Sequence, residues 1–203
     1  MSPRYRLFRQ TLVRLCRILF GLTLHDGNRV PAEGPLIIAS NHGQYADPVL
    51  VCVAVPRRVQ WMGKKELFVF PFRKFFRFIG TFPVDREGGG RGAIRAGVAY
   101  LAEGWALGIF PEGTHRGDEA SKQAKSGVVV LGARGNAPVL PVHVGRLPGP
   151  LSRLRGERLH IYVGEPIELD PALRGGAAYR AATEKIMRTI YDLPREAGKA
   201  DPR

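Results

Sequence analysis

Short apolar segments alternate with segments of helical periodicity along this 203-residue chain, and that alternation restricts the fold more than any other feature. Residues 35–40, 57–62, 81–84, 106–110, 139–144 and 159–163 have the apolar character of short strands. Residues 93–103, 126–134 and 177–191 have helical spacing instead. Strands that alternate with helices are typical of an α/β fold, and we therefore predict a sheet flanked by helices.

The length favours a single domain. We predict three parts: a basic amphipathic helix in residues 1–24, the α/β domain in residues 25–193, and a loose tail in residues 194–203 that begins at Pro194.

The N-terminal segment predicts a helix with one apolar arc. On a helical wheel, that arc holds Tyr5, Phe8, Leu12, Leu15, Cys16, Leu19 and Leu22. Arg6, Arg9 and Arg17 lie on the other side. A membrane-spanning helix needs about 20 mainly apolar residues, and arginines interrupt this segment too often. A helix lying in the headgroup plane of an anionic membrane is the favoured interpretation, and a helix packed on the domain is the alternative.

The charge balance predicts an anionic partner. The chain has 31 Lys and Arg against 18 Asp and Glu, a net charge of +13, which attracts nucleic acid, anionic lipid or phosphorylated substrates. No basic recognition helix or RNA-binding aromatic signature is present, so we do not expect nucleic acid as the partner. Cys16 and Cys52 lack metal-ligand spacing, and no Cys/His cluster predicts a zinc site, so we expect no metal.

One polar loop carries the residues for proton transfer. His42 and Asp47 follow the predicted strand of residues 35–40, and histidine accepts protons near neutral pH. A carboxylate on the second ring nitrogen would fix the tautomer and stabilise the imidazolium. Residues five apart do not share one helix face, so the pair requires a turn, which Gly43 could supply, with Asp47 in the first helical turn. A histidine that only satisfies a local cap is the alternative.

No protein nucleophile accompanies this pair. The chain has no Gly-x-Ser-x-Gly motif and no cysteine beside His42. This favours direct attack by a substrate hydroxyl, with His42 as the general base, over a covalent intermediate.

A second polar loop follows the predicted strand of residues 106–110. In it, Gly113 permits close backbone approach, Thr114 offers a hydroxyl and Arg116 offers a guanidinium to a phosphate. Strand ends are common positions for ligand contacts in α/β sheets. The alternative is a polar turn that contains glycine.

The order of the motifs is more specific than any one of them. The chain carries Asn-His-x4-Asp at 41–47, Gly-Lys-Lys-Glu-Leu at 63–67, Gly-Thr-Phe-Pro-Val-Asp-Arg at 80–86, Phe-Pro-Glu-Gly-Thr at 110–114, Lys-Ser-Gly at 125–127 and Val-Leu-Pro-Val at 139–142. This series resembles the lysophosphatidic acid and glycerol-3-phosphate acyltransferase family over roughly residues 30–145.

The resemblance implies a single α/β domain with a mixed central sheet and a role for each motif. His42 would be the base and Asp47 its orienting partner. The substrate-binding set would be Lys64, Arg86, Glu112, Gly113, Thr114, His115, Arg116 and Lys125. One departure stands out: the family usually has Glu-Gly-Thr-Arg, whereas here His115 takes the arginine's place and Arg116 follows. Either Arg116 binds the phosphate, or His115 does so with a pH-dependent charge.

The implied reaction is acyl transfer to the sn-2 hydroxyl of 1-acylglycerol 3-phosphate, which yields phosphatidic acid. The donor would be acyl-CoA or acyl-acyl carrier protein, with no cofactor. We expect a peripheral protein on the cytoplasmic face of the cell membrane. The alternatives are the same chemistry on a lyso-ornithine lipid, another lysophospholipid or glycerol 3-phosphate, and a non-catalytic basic protein that binds membrane or nucleic acid.

Overall fold

The structure, a computed structural model, describes residues 2–64, 68, 73–84, 90–112 and 126–200, with backbone alone at 64 and 198–200. The helices are α1 (Pro3–Phe20), α2 (Asp47–Ala54), α3 (Arg73–Phe78), α4 (Arg91–Ala102), α5 (Gly127–Gly135), α6 (Pro150–Leu154) and α7 (Gly176–Ala200). The strands are β1 (Thr23–His25), β2 (Leu36–Ser40), β3 (Val59–Lys64), β4 (Thr81–Val84), β5 (Ala106–Ile109), β6 (Val139–Val144) and β7 (His160–Val163).

The described strands form one mixed sheet in the order β1-β7-β6-β2-β5-β3-β4. The five strands from β6 to β4 are parallel, whereas β7 runs antiparallel to β6 and pairs in parallel with β1. The carboxyl ends of β2 to β6 therefore lie at one edge, together with the amino ends of β1 and β7. We call this the upper edge. The predicted α/β domain with a mixed central sheet is confirmed.

Helices cover both faces of the sheet. Strand β2 is buried throughout and directs alternate residues to each side: Leu36 and Ile38 to one cluster, Ile37 and Ala39 to the other. Helices α1 and α2 complete the first cluster, and helices α4, α5 and α7 complete the second. A strand that is buried on both faces reads as a continuous apolar run, which is why the sequence identified β2 so clearly.

Several short elements and the carboxyl end of α7 differ most from the sequence prediction. Strand β1 and helices α3 and α6 were not predicted, because each has only three to six residues. The predicted tail from Pro194 is wrong for residues 194–200, because α7 continues to Ala200. Proline removes the hydrogen bond to the carbonyl four residues earlier. Here that carbonyl, of Ile190, accepts a hydrogen bond from His143 Nδ1 at 3.2 Å, so the helix continues without an unsatisfied group there.

Helix α1 packs on the domain through a face that is rotated from the predicted arc and shares only part of it. Tyr5 and Cys16 are buried, but Leu15 and Leu19 of the predicted arc are 47% and 56% exposed. Arg9, which was assigned to the polar side, lies against α2 instead. Its guanidinium donates hydrogen bonds of 2.8–3.1 Å to three carbonyls at the end of α2, those of Cys52, Val53 and Val55.

The packed face leaves a second apolar strip of α1 exposed, made of Leu7, Leu15, Ile18 and Leu19. Arg4, Arg6, Arg14 and Arg17 are exposed on the same helix. Within the described residues, no helix combines the length and apolar character needed to cross a membrane. The membrane-surface position of α1 therefore stays a prediction.

Candidate active site

The His42–Asp47 pair occupies the loop between β2 and α2 at the upper edge. Asp47 is the first residue of α2, as predicted, and its Oδ2 lies 3.2 Å from His42 Nδ1. The same oxygen accepts hydrogen bonds from the backbone N–H groups of Gly43 and Gln44 at 2.7 and 2.8 Å. The chain between the two residues therefore turns around the carboxylate, which explains how a spacing of five brings the side chains together.

Burial and hydrogen bonding fix the imidazole. His42 and Asp47 are only 8% and 1% exposed. Because a carboxylate oxygen accepts hydrogen bonds, the His42 nitrogen that faces Asp47 is the donor, and Nε2 is the nitrogen that can accept a proton. The carboxylate also lies at the amino end of α2, where the helix dipole stabilises negative charge. This geometry suits a general base.

A column of stacked rings supports His42 from the other side. The Phe110 ring is stacked on the His42 ring with centroids 4.1 Å apart, and the Trp61 ring follows Phe110 at 5.1 Å. In each pair, the two ring planes are inclined to one another by only 17°. A Cβ atom at Gly108 would lie 2.4 Å from the Trp61 ring, so glycine is required where the indole crosses β5. We call residues 41–46, between β2 and α2, the histidine loop. The column links this loop to the Phe-Pro-Glu-Gly-Thr motif.

Two side-chain amides hold the histidine loop against the end of β6. The Asn41 side chain donates a hydrogen bond to the Val144 carbonyl at 2.9 Å and accepts one from the Val144 N–H at 2.8 Å. Gln44 donates to the Gly145 carbonyl at 3.3 Å and accepts from the Leu147 N–H at 3.0 Å. Four hydrogen bonds thus extend the β2–β6 pairing beyond the strands, and they fix the position of the loop.

The two buried cysteines do not supply a nucleophile. Burial raises the pKa of the Cys52 thiol on α2, and it also raises the pKa of Cys16 on α1. The thiolate is the nucleophilic form of cysteine, so both residues stay unreactive near neutral pH. Direct attack by a substrate hydroxyl stays a prediction.

The described part of the substrate-binding set is small. Glu112 accepts a hydrogen bond from the Tyr191 hydroxyl of α7. Lys64 ends β3, and its side chain lies outside the described residues, as do Arg86, Gly113, Thr114, His115, Arg116 and Lys125. Strands β3, β4 and β5 end at Lys64, Val84 and Ile109, so the motifs that follow them start from neighbouring points of the upper edge. Direct contact among these residues stays a prediction.

The sequence profile of the acyltransferase family matches residues 21–145, which contain the histidine loop and the Phe-Pro-Glu-Gly-Thr motif. The chain belongs to the acyltransferase family. It is 29% identical over 177 residues to the 1-acyl-sn-glycerol-3-phosphate acyltransferase of Bacillus subtilis strain 168, covering 85% of this chain and 88% of that protein.

Two further comparisons agree with this assignment. Identity to the 1-acyl-sn-glycerol-3-phosphate acyltransferase of Streptococcus pneumoniae is 30% over 152 residues, which cover 71% of this chain and 55% of that protein. The fold is similar to the crystal structure of the 1-acyl-sn-glycerophosphate acyltransferase PlsC from Thermotoga maritima, with a TM-score of 0.70 at 19% identity. That superposition covers 96% of this chain and 84% of the other.

Sequence reasoning gave no role to several residues that surround the acyltransferase site. Asn41, Gln44 and Phe110 stood inside the recognised motifs, so their position was a usable signal. Trp61 and Tyr191 gave no such signal, because their partners lie 49 and 79 positions away in the chain.

Proposed function

We propose that this acyltransferase moves a fatty acyl group from acyl-CoA or acyl-acyl carrier protein to the sn-2 hydroxyl of 1-acylglycerol 3-phosphate. The product would be phosphatidic acid, the diacyl precursor of phospholipids. The observation that carries the proposal is the buried His42–Asp47 pair in a chain of this family, with Nδ1 and Oδ2 3.2 Å apart. The names of the relatives from Bacillus subtilis and Streptococcus pneumoniae support the choice of acceptor.

In the proposed mechanism, His42 Nε2 takes the proton of the acceptor hydroxyl as its oxygen attacks the thioester carbonyl. The carbon–oxygen bond forms, and the carbonyl electrons move to the oxygen. When the tetrahedral intermediate collapses, the carbon–sulfur bond breaks, and the departing thiolate takes the proton from the His42 imidazolium. Asp47 stabilises that imidazolium throughout, because its carboxylate lies on Nδ1.

Lysine and arginine side chains would bind the acceptor phosphate at the upper edge. A phosphate monoester carries close to two negative charges near pH 7, and arginine can donate two parallel hydrogen bonds to it. We assign Lys64, Arg86, Arg116 and Lys125 to this role, with Glu112, Gly113 and Thr114 shaping the site and His115 in the family arginine's place. The support is the family motif and the adjacent ends of β3, β4 and β5.

The experiment that tests the mechanism replaces the base. For His42→Ala, we expect acyl transfer to fall at least about 10²-fold, the low end for loss of general base catalysis, with lysolipid binding largely retained. His25→Ala, which removes a histidine on β1, is the matched control and should retain activity. Transfer is measured with a labelled acyl thioester. Near-normal turnover in folded His42→Ala protein would exclude this role, and a trapped acyl-protein would exclude direct attack.

The histidine at position 115 is the observation that favours a second acceptor. Because His115 replaces the family arginine, the acceptor site differs where the phosphate is expected. A screen with 1-acylglycerol 3-phosphate, glycerol 3-phosphate, another lysophospholipid and a lyso-ornithine lipid separates the candidates. Equal transfer to a lipid without a phosphate would refute the assignment to phosphatidic acid synthesis and leave the acyltransferase chemistry in place.

We also propose a peripheral position on the anionic, cytoplasmic face of the membrane. The support is the exposed apolar strip of α1 with arginines beside it, because interfacial helices combine these two features. The proposed acceptor and product are membrane lipids, so a protein held at the surface meets both directly.

A further inference from the structure

Helix α6 carries a small apolar surface that the sequence did not reveal. Leu151 and Leu154 are 70% and 87% exposed, and residues three apart lie on the same side of a helix. Single exposed leucines are ordinary in soluble proteins. Two on one helical turn, almost entirely in solvent, form a surface that would gain free energy by burial against a partner.

The charge around these leucines is positive. Arg153, Arg155 and Arg158 stand in or directly after α6, where Glu157 is the one acidic residue between positions 146 and 158. Arginine side chains can extend from an apolar contact towards phosphate while the leucines enter the acyl region. This combination is complementary to an anionic lipid bilayer.

The α6 surface adjoins the exposed strip of α1. A Cβ atom at Gly21, which caps α1, would lie 3.1 Å from the Arg153 guanidinium carbon and 3.2 Å from Arg158 Cγ. The Leu159 N–H also donates to the Phe20 carbonyl at 2.9 Å. Helix α6 therefore lies at the carboxyl end of α1, the end at which Ile18 and Leu19 are exposed.

The chain between β6 and α6 is attached to the histidine loop. This chain leaves β6 at the upper edge, and the Gln44 side chain forms hydrogen bonds with Gly145 and Leu147 shortly before α6 begins. A bilayer that contacts α6 would thus lie beside the loop that holds His42. A lipid acceptor could then reach the site from the membrane with its headgroup at the upper edge.

We propose that α6 is a second membrane-contacting element, and that with the exposed strip of α1 it seats the active-site edge on an anionic bilayer. The identity of the bilayer lipid as acceptor rests on the proposed function. The contact itself does not, because it rests on the exposure, charge and position of α6.

The test measures partition of the full chain into phosphatidylcholine vesicles that contain anionic phosphatidylglycerol, without acyl donor. For L151S/L154S, we expect binding at least about tenfold weaker, since two leucines lose their burial in the acyl region. L151I/L154I keeps the apolar surface and should bind like the parent. Circular dichroism and thermal unfolding show whether each variant is folded.

A second pair of measurements separates the possible outcomes. Transfer to a short-chain, monomeric lysolipid should be unchanged in L151S/L154S, while transfer to acceptor embedded in vesicles should fall with binding. Equal vesicle binding by parent and folded L151S/L154S overturns the proposal. Loss of a dimer in sedimentation, with vesicle binding intact, also overturns it and shows that α6 joins two copies of the chain. If the parent binds vesicles through α6 but transfers no acyl group to any acceptor, the proposed function fails and this inference stands.

Discussion

At the scale of single residues, the His42 ring is held by two neighbouring side chains. Asp47 holds one edge of the imidazole, and Phe110 covers one of its faces with a ring only 4.1 Å away. A stacked aromatic pair contributes about 0.5–1.5 kcal/mol beyond its area burial. In the proposed mechanism, Phe110 is therefore a positioning residue, since it would act on the reaction through the orientation of His42.

Phe110→Leu tests this role because it keeps an apolar side chain and removes the stack. We expect kcat to fall roughly 2- to 12-fold, the range given by that pair energy, while the acceptor KM changes less. Phe110→Tyr keeps the ring and should restore most of the rate.

The control for this prediction is Phe82→Leu, which removes a ring that packs on Tyr100. Phe110→Leu loses the contacts with His42 and Trp61, and Phe82→Leu loses a contact with Tyr100, so only the change at Phe110 touches His42. Equal losses of kcat in the two folded variants would contradict the assignment.

At the scale of elements, α1 is part of the domain. Arg9 binds the last carbonyls of α2, the helix whose first residue is Asp47. The positive charge of the guanidinium is stabilising there, because the carboxyl end of a helix carries a partial negative charge. Burial of the guanidinium lowers the pKa of Arg9, but arginine remains charged at neutral pH.

We expect Arg9→Met to reduce the free energy of unfolding by about 2–4 kcal/mol, because hydrogen bonds from a charged donor to three carbonyls are lost. Arg6→Met is the matched control, since Arg6 is exposed on the same helix, and its effect should stay within about 0.5 kcal/mol. Urea denaturation measures both. Equal free energies of unfolding for the two variants would mean that the Arg9 contact with α2 does not stabilise the fold.

At the scale of the molecule, positive charge and exposed leucines together predict how the protein meets a membrane. The net charge of +13 acts over about 8–10 Å at physiological salt, and the leucines act only on contact. Charge should therefore govern attraction to the surface, while apolar burial should govern retention there.

We expect the intact chain to bind anionic vesicles much more strongly than neutral phosphatidylcholine vesicles. Because the Debye length falls to about 3 Å near 1 M salt, the difference between the two should largely disappear there. Co-sedimentation with each kind of vesicle over a series of salt concentrations measures this difference in binding. Binding that is independent of both lipid charge and salt would refute the electrostatic part of the proposal.

The sequence by itself determined the features that local patterns carry. The continuous apolar run of β2 and the periodicity of α4 and α7 were sufficient for an α/β fold, because burial imposes a regular spacing on each element. His42 and Asp47 were proposed from the order of the motifs, and in the structure one turn brings the two side chains together.

Tertiary structure alone decided the contacts between distant parts of the chain. The helical wheel could not show which side of α1 would face α2, because both sides carry apolar residues and only packing buries one of them. Nor could a local rule foresee that α7 passes through Pro194, since the Ile190 carbonyl is satisfied by His143 from β6. The ring column and the position of α6 have the same cause: each depends on residues that are distant in sequence and meet only when the sheet is assembled.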